Sequence, residues 1–310
     1  MEFKHLPVML WECIDGLNVK EDGIYVDCTL GGGGHSLEIV KKLKTGRLIC
    51  IDKDADAILA SAERLKEHKD KITFVHDDFK NIKNILDELG IEKIDGALMD
   101  LGVSSYQIDT AERGFSYMKD APLDMRMDQS QYLTAFNVVN EYSLNELTRI
   151  FTVYGEEKFS RRIAENIVRE RDKKTISTTG ELAALIEKSV PAANRFKYGN
   201  PSKRVFQAIR IEVNGELNRL DEAVSELIRR LNPKGRICVI SFHSLEDRII
   251  KNVYKYFEAD CICDKSLPKC VCGKKREIKI LTPKPITATK EELEVNSRAE
   301  CAKLRIAEKL

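Results

Sequence analysis

The chain has 310 residues, room for two domains, and its 43% apolar residues can fill a sizeable core, which excludes a disordered polypeptide. Its 51 Lys/Arg against 50 Asp/Glu leave a formal charge of +1, without the overall basic excess of a nucleic-acid binder. No apolar run nears the roughly 18 residues of a membrane helix, residues 1–7 lack a signal peptide's apolar stretch, and the nine cysteines suggest free thiols or a metal site rather than staples, so a cytoplasmic protein without membrane attachment is expected.

The first hundred residues alternate β-rich and helical runs, the pattern of a parallel sheet covered by helices. Strands are predicted at residues 23–29, 47–52, 72–76 and 94–100, with helices at about 36–43, 54–67 and 82–89 between them. From about 107 to 204 the strand signals stop. Apolar residues there recur at helical spacing in Leu144-Leu147-Ile150-Phe151, Phe159-Ile163-Ile167 and Leu182-Leu185-Ile186. This predicts an all-helical insertion, 107–204, within a discontinuous domain of 1–106 and 205–310. A helical run over 201–231, broken near Gly215, leads to a fifth strand at 236–242, a helix at 245–257, a Cys/Lys-rich loop, and strands near 278–280 and 304–306. The predicted fold is α/β, Rossmann-like, with a mostly parallel sheet.

Gly31-Gly32-Gly33-Gly34 lies between the first strand and its helix, and Asp52 ends the second strand. A glycine loop lets a ligand lie against bare backbone, and an acid at that strand end can bond two ribose hydroxyls. The dinucleotide fingerprint needs glycines at first, third and sixth positions; counting from Gly31 gives Gly33 and then Ser36, which disfavours NAD. S-adenosylmethionine has an adenosine for the acid but no pyrophosphate, so its loop is free to depart from that spacing. Asp27 is placed to hold the methionine amino group, Phe79 to stack on adenine, and Asp77 or Asp78 to accept from it. The loop after strand four, Asp100-Leu101-Gly102-Val103-Ser104-Ser105-Tyr106-Gln107, faces the reactive end of such a ligand. An exocyclic amine accepting a methyl group needs acceptors for its N–H groups, and Asp100, Ser104 and Ser105 are the candidate catalytic residues.

These residues, together with blocks spread in order over nearly the whole chain, resemble the bacterial 16S rRNA cytosine-N4 methyltransferases, the RsmH/MraW family. The resemblance is carried by His5-Leu6-Pro7-Val8-Met9, residues 27–36, residues 100–105 with Gln107, Glu112-Arg113-Gly114-Phe115-Ser116, Pro122-Leu123-Asp124-Met125-Arg126-Met127-Asp128 and Tyr154-Gly155-Glu156-Glu157. It continues in residues 204–214, Ser241-Phe242-His243-Ser244-Leu245-Glu246-Asp247-Arg248 and Asn296-Ser297-Arg298-Ala299. Cys28, where many members carry Gly, departs from it without touching the cofactor reading. The resemblance implies a class I methyltransferase fold that uses S-adenosylmethionine to methylate N4 of a decoding-centre cytidine. Family cofactor contacts fall on Gly33, Gly34, His35, Asp52, Phe79, Asp100 and Gln107, of which His35 and Gln107 come from the resemblance alone. The implied partner is 16S rRNA or the small ribosomal subunit, with a homodimer left open.

On the substrate side, Asp124, Arg126, Arg204 and His243 are candidates: residues 124–128 suit a hinge or lid over the base, and His243 ends strand five. The alternative at 243–247 is a helix cap by Ser244 with Asp247. Phe242, Tyr106 or Phe115 offers a stacking face for an unstacked cytosine. Cys261-Ile262-Cys263 and Cys270-Val271-Cys272 form two C-x-C pairs in a lysine-rich loop, open to zinc, to reduced thiols or to a disulfide. Two rival functions stand beside methyl transfer, an NAD-dependent oxidoreductase and a non-catalytic RNA-binding assembly factor. The charge is uneven: residues 155–210 hold 13 Lys/Arg against 7 Asp/Glu and residues 261–290 hold 8 against 2, so the remainder is acidic by eleven. Near-neutral net charge therefore does not exclude an RNA contact at these two stretches.

Overall fold

The computed structural model describes residues 7–264 and 269–310, except for the side chains of residues 196–198; His5 and Leu6 of the first motif and Lys265 of the Cys/Lys loop lie outside it. The chain forms two compact units, Met1–Gly102 with Arg219–Leu310, and Val103–Asn218.

In the first unit the strands are β1 (Ile24–Asp27), β2 (Arg47–Asp52), β3 (Ile72–His76), β4 (Ile94–Asp100), β5 (Leu231–Ser241), β6 (Ile278–Ile280) and β7 (Lys303–Lys309). Among the described residues they make one sheet in the order β3-β2-β1-β4-β5-β7-β6. β1 to β5 pair in parallel, and β7 runs antiparallel to β5 and to β6. A parallel strand covered on both faces reads as an unbroken apolar run, and Leu48, Ile49, Cys50 and Ile51 of β2 are all fully buried. Each such aliphatic side chain contributes about 1.5–3 kcal/mol of transfer free energy. One core joins Leu48, Cys50, Leu98, Cys238 and Ile306 of the sheet to Ile39 and Val40 and to Cys13, Ile14 and Leu17. The last three lie on the helix Leu10–Leu17, which the sequence reading passed over. Its flanking residues, Met9 and Asn18, take left-handed φ of 51° and 50° without a Gly or Pro to mark the ends.

Among the boundaries that moved are these two. The expected helix 54–67 is an α-helix, Ala55–Arg64, followed by the 3₁₀ segment Lys66–Lys71. β5 starts at Leu231 rather than 236, because Leu231 pairs with Ile94 across an irregularity in the ladder.

The second unit packs the helices Ala135–Glu141, Leu144–Val153, Ser160–Arg171, Thr179–Ser189 and Pro201–Asn214. The apolar stripes predicted from spacing meet in its core: Leu147, Ile150, Phe151, Ile163, Ile167, Leu182 and Ile186 are all fully buried. Ser143 with Glu146, and Thr178 with Glu181, close reciprocal caps that fix two of the helix starts. The domain boundary at 205 is corrected here. The helix Pro201–Asn214 sends Val205, Phe206, Ile209 and Val213 into this core, so it belongs to the insertion, and the helical run breaks where foreseen, at Gly215 with φ 56°.

Asn214 fastens the unit's loop to that helix. Its Oδ1 accepts from Met127 N–H at 2.8 Å, and its Nδ2 donates to the carbonyls of Met125 (2.7 Å) and Arg210 (2.9 Å). Asn214→Ala strands a buried N–H and a buried carbonyl, so a loss of about 2–4 kcal/mol is expected. Differential scanning calorimetry checks this; an unchanged transition would show that water or relaxation satisfies both groups.

Candidate active site

Three strand-end acids lie on one face of the sheet. In the parallel ladder Asp27 pairs with Cys50 and with Leu98, and Asp52 and Asp100 stand two residues beyond those partners. Side chains two residues apart point the same way. Asp52 and Asp100 therefore flank Asp27 at a level about 6.6 Å further toward the carboxyl ends.

Each acid has a different environment. Asp27 is buried, and its carboxylate accepts from Ser36 Oγ at 2.7 Å and from Thr29 N–H at 3.1 Å. Burial nonetheless pushes it up to about 6, against those two hydrogen bonds. Asp52 holds the glycine loop: Oδ2 accepts from Gly31 N–H at 2.8 Å and Oδ1 from Asp54 N–H at 2.9 Å, and burial raises its pKa. Asp100 is the most perturbed. Burial, then the charges of Asp27 and Glu246, push it up to about 8. Its Oδ1 is closed off from solvent and has no hydrogen-bond partner among the described residues.

His35 lies beside Asp100, its Nδ1 3.8 Å from Asp100 Oδ2. Its Nε2 bonds the Val8 carbonyl at 3.1 Å, and since a carbonyl only accepts, Nε2 carries the hydrogen and Nδ1 a lone pair. Burial lowers its pKa to about 4, so the ring is neutral at pH 7 and offers Asp100 no compensating charge.

In the glycine loop, Gly31 and Gly33 have left-handed φ of 49° and 70°. Gly34 is required for another reason: a Cβ there would come within 2.2 Å of the Pro7 ring. The segment entering the first helix is packed onto the loop, which by itself requires a glycine at this position. After β3, Phe79 is half-buried at the start of the 3₁₀ turn Phe79–Asn81, while Asp77 Oδ1 accepts from Asp78 N–H and Asn81 Nδ2. Asp77 N–H donates to the Asp52 carbonyl at 3.1 Å, which ties this turn to the end of β2.

At the end of β5, His243 rather than Ser244 caps the helix Ser244–Glu258. Its Nδ1 accepts from Glu246 N–H at 3.4 Å, and Glu246 Oε2 accepts back from His243 N–H at 3.4 Å and from Phe242 N–H at 2.9 Å. Asp247, expected in that cap, instead receives two bonds from Arg305 of β7, at 2.6 and 3.2 Å. Glu246 is buried and acts on Asp100 through its charge, a role missed from sequence; the His-x-x-Glu spacing of a reciprocal cap was the available signal.

Of the remaining candidates, Ser104, Ser105, Gln107, Asp124, Arg126 and Arg204 belong to the second unit, and the four cysteines to the first. Ser104 and Gln107 form a reciprocal cap: Ser104 Oγ accepts from Gln107 N–H at 3.2 Å and Gln107 Oε1 from Ser104 N–H at 3.0 Å. Ser105 is buried in the first turn of that helix. At 124–128, where a hinge or lid is expected, the loop is bonded to itself. Arg126 clamps Asp124 through Nε (2.9 Å) and Nη2 (2.6 Å) and donates Nη1 to the Gln129 and Gln131 carbonyls, while Met125 and Met127 are buried. Opposite charges two residues apart satisfy each other within the loop. Arg204 donates Nε to the buried Glu157 at 2.6 Å. The four cysteines 261, 263, 270 and 272 come together, with ligand atoms within 4.8 Å of one another.

A glycine loop held by Asp52 and an unpartnered buried carboxyl oxygen with two acidic neighbours suit a ligand carrying positive charge, which fits S-adenosylmethionine and not a pyrophosphate. With five parallel strands in doubly wound order and an antiparallel β7, they define a class I S-adenosylmethionine-dependent methyltransferase. The MraW methylase family model matches residues 2–310, and the chain belongs to that family. It is similar to proteins named Ribosomal RNA small subunit methyltransferase H from Clostridium botulinum (strain Loch Maree / Type A3), Finegoldia magna and Clostridioides difficile. The identities are 58%, 56% and 54% over 311 residues, with 100% of each chain covered. Among the described residues no helix is long and apolar enough to cross a membrane.

Proposed function

We propose that this protein methylates the exocyclic N4 of a cytidine in 16S rRNA of the small ribosomal subunit, at the decoding centre. The observation that carries the chemistry is Asp100, a strand-end carboxyl with a free buried oxygen and a pKa of about 8. The names borne by relatives at 54–58% identity support the RNA substrate.

S-adenosylmethionine, when bound, supplies an electrophilic methyl carbon whose bond to sulfur breaks with the electron pair passing to sulfur. The glycine loop and Asp52 hold its nucleoside, and Phe79 gives the adenine a stacking face. The N4 lone pair of cytosine is delocalised into the ring, so the amine is a weak nucleophile until an acceptor holds one N–H and favours a pyramidal nitrogen. The Asp100 carboxylate is that acceptor. As N4 forms its bond to carbon it gains positive charge, and Asp100 takes one of its two protons. The positive charge of the bound cofactor favours ionised Asp100, which leaves the carboxylate free to take that proton. The acids around it, Asp27 and Glu246, favour the same developing charge.

The basic stretch 155–210 contributes to RNA contact. Several of its side chains sit in exposed pairs, such as Arg161 with Glu165 at 2.9 Å and Lys174 with Glu181 at 2.5 Å. Exposed pairs of this kind are worth about 0–1 kcal/mol, so exchanging them for phosphate contacts costs little.

The test is labelled-methyl incorporation into small subunits and into free 16S rRNA, with the product nucleoside identified by mass spectrometry. N4-methylated cytidine at one position is the expected outcome. Label on a ring carbon, on a ribose oxygen or on another base would sink the N4 assignment, and absence of incorporation into either substrate would sink the rRNA reading.

A further inference from the structure

The loop between the helix Ser244–Glu258 and β6 carries a cluster that methyl transfer does not use. Its Sγ atoms lie 3.9 Å apart for Cys263 and Cys270, 3.5 Å for Cys270 and Cys272, and 3.8 Å for Cys272 and Cys261. All four Sγ atoms are within 4.8 Å of one another, and none is in a disulfide. Backbone N–H groups point at the sulfurs: Ile262 to Cys272 at 3.5 Å, Cys263 to Cys261 at 3.4 Å and Val271 to Cys263 at 3.4 Å.

Burial does not explain this convergence. Ile262 and Val271, the apolar residues between the paired cysteines, are 52% and 79% exposed, so the loop has no core of its own. Its far arm is anchored by Lys274 over the Tyr256 ring at 4.5 Å and by Arg276 on Glu258 at 2.8 Å, but these contacts do not reach the cysteines. A different force must gather four surface sulfurs.

The separations identify it. Four thiolates at about 2.3 Å from a central zinc stand about 3.8 Å apart at the corners of a tetrahedron, and the observed spacings bracket that value. A disulfide would bring one pair to about 2.0 Å. An iron–sulfur cluster spreads its cysteines over separate irons and would hold them further apart. Thiolates are soft ligands, a set without oxygen or nitrogen excludes magnesium and calcium, and closed tetrahedral Cys₄ sites are structural. The N–H groups aimed at the sulfurs stabilise thiolate charge, as outer partners of metal ligands do.

We propose that Cys261, Cys263, Cys270 and Cys272 bind one zinc ion in a closed tetrahedral site that orders this basic loop. The four sulfurs leave the ion no open position, so the site is structural and takes no part in methyl transfer.

Elemental analysis of the full chain, prepared under reducing conditions with zinc in the medium, should find about one zinc per chain. Cys261→Ser/Cys272→Ser should lower that at least about tenfold, while Cys301→Ser, at an exposed cysteine outside the cluster, should leave it unchanged. Cobalt titrated into the chelator-stripped wild-type chain should give thiolate-to-cobalt charge transfer saturating at one equivalent, a readout that does not depend on the variant folding. Trypsin should cut at Lys269 and Lys274 about tenfold faster once zinc is removed. Zinc-free protein that also fails to take up cobalt, iron in place of zinc, or zinc content unaltered in the double variant would overturn the site. Equal cleavage with and without zinc would overturn its ordering role.

Discussion

Asp100→Asn is expected to lower methyl transfer by about 10²–10⁴-fold, the usual worth of a positioned general base, while making the ligand-free protein more stable at pH 8. The two effects share one cause. In the folded chain Asp100 keeps a proton up to about pH 8, whereas an unfolded aspartate releases it near 3.9. The folded state then binds more protons than the unfolded one between those values, so this group's contribution to stability falls as pH rises from about 4 to 8. Asparagine has no such proton to lose, and its advantage over the wild type grows across the same window. About a quarter of the Asp100 side chain is exposed, and with solvent relaxation the gain at pH 8 is about 1–2 kcal/mol, a few degrees in melting temperature. Cofactor binding carries the complementary sign. A cation favours ionised Asp100, so wild-type affinity should rise by up to about tenfold per pH unit below 8 and level off above it, and the variant's should stay flat. Labelled-methyl incorporation, calorimetric titration across pH 6–9 and scanning of the ligand-free proteins measure the three in turn. Turnover within threefold of wild type would remove Asp100 from the chemistry, and a flat wild-type binding profile would remove the pH argument.

Asp52→Ala should instead strike binding. The carboxylate holds two backbone N–H groups, those of Gly31 and Asp54, and still has lone pairs for a ribose diol. Hydrogen bonds to a charged group are worth about 1.5–3 kcal/mol each, so losing the ribose contacts and loosening the loop should weaken S-adenosylmethionine about 10²-fold. Asp52→Asn, which keeps an acceptor, should fall between. The effect belongs in KM for the cofactor with kcat changed little, whereas Asp100→Asn also lowers kcat. A dissociation constant unaltered in Asp52→Ala would mean that the nucleoside lies elsewhere.

Much of this site can be read along the chain because its parts are local. Asp27, Asp52 and Asp100 each end a strand whose apolar run is visible in sequence, and in a parallel sheet every strand's carboxyl end opens on the same side. The insertion's helices likewise follow from apolar stripes that the structure buries. Side-chain partnerships were less accessible. The sequence marks Asp124, Arg126 and Arg204 as substrate-side candidates, but not that Arg126 bonds Asp124 bidentately or that Arg204 meets Glu157, 47 positions away. His243, an uncommon cap, was passed over for the serine beside it.

Periodicity and turn chemistry, which act within a few residues, were thus sufficient for the alternation of strands and helices, the glycine loop, the three strand-end acids and the paired C-x-C cysteines. Only the tertiary structure decided which acid is perturbed, because Asp100 owes its pKa to burial and to Asp27 and Glu246, brought to it from the end of β1 and from the first turn of the helix Ser244–Glu258. It also showed that Gly34 answers to Pro7, that Pro201–Asn214 belongs to the insertion, and that four sulfurs converge at the spacing of a zinc tetrahedron. Each of these depends on desolvation or on contact between residues far apart in sequence, and neither quantity exists until the chain has folded.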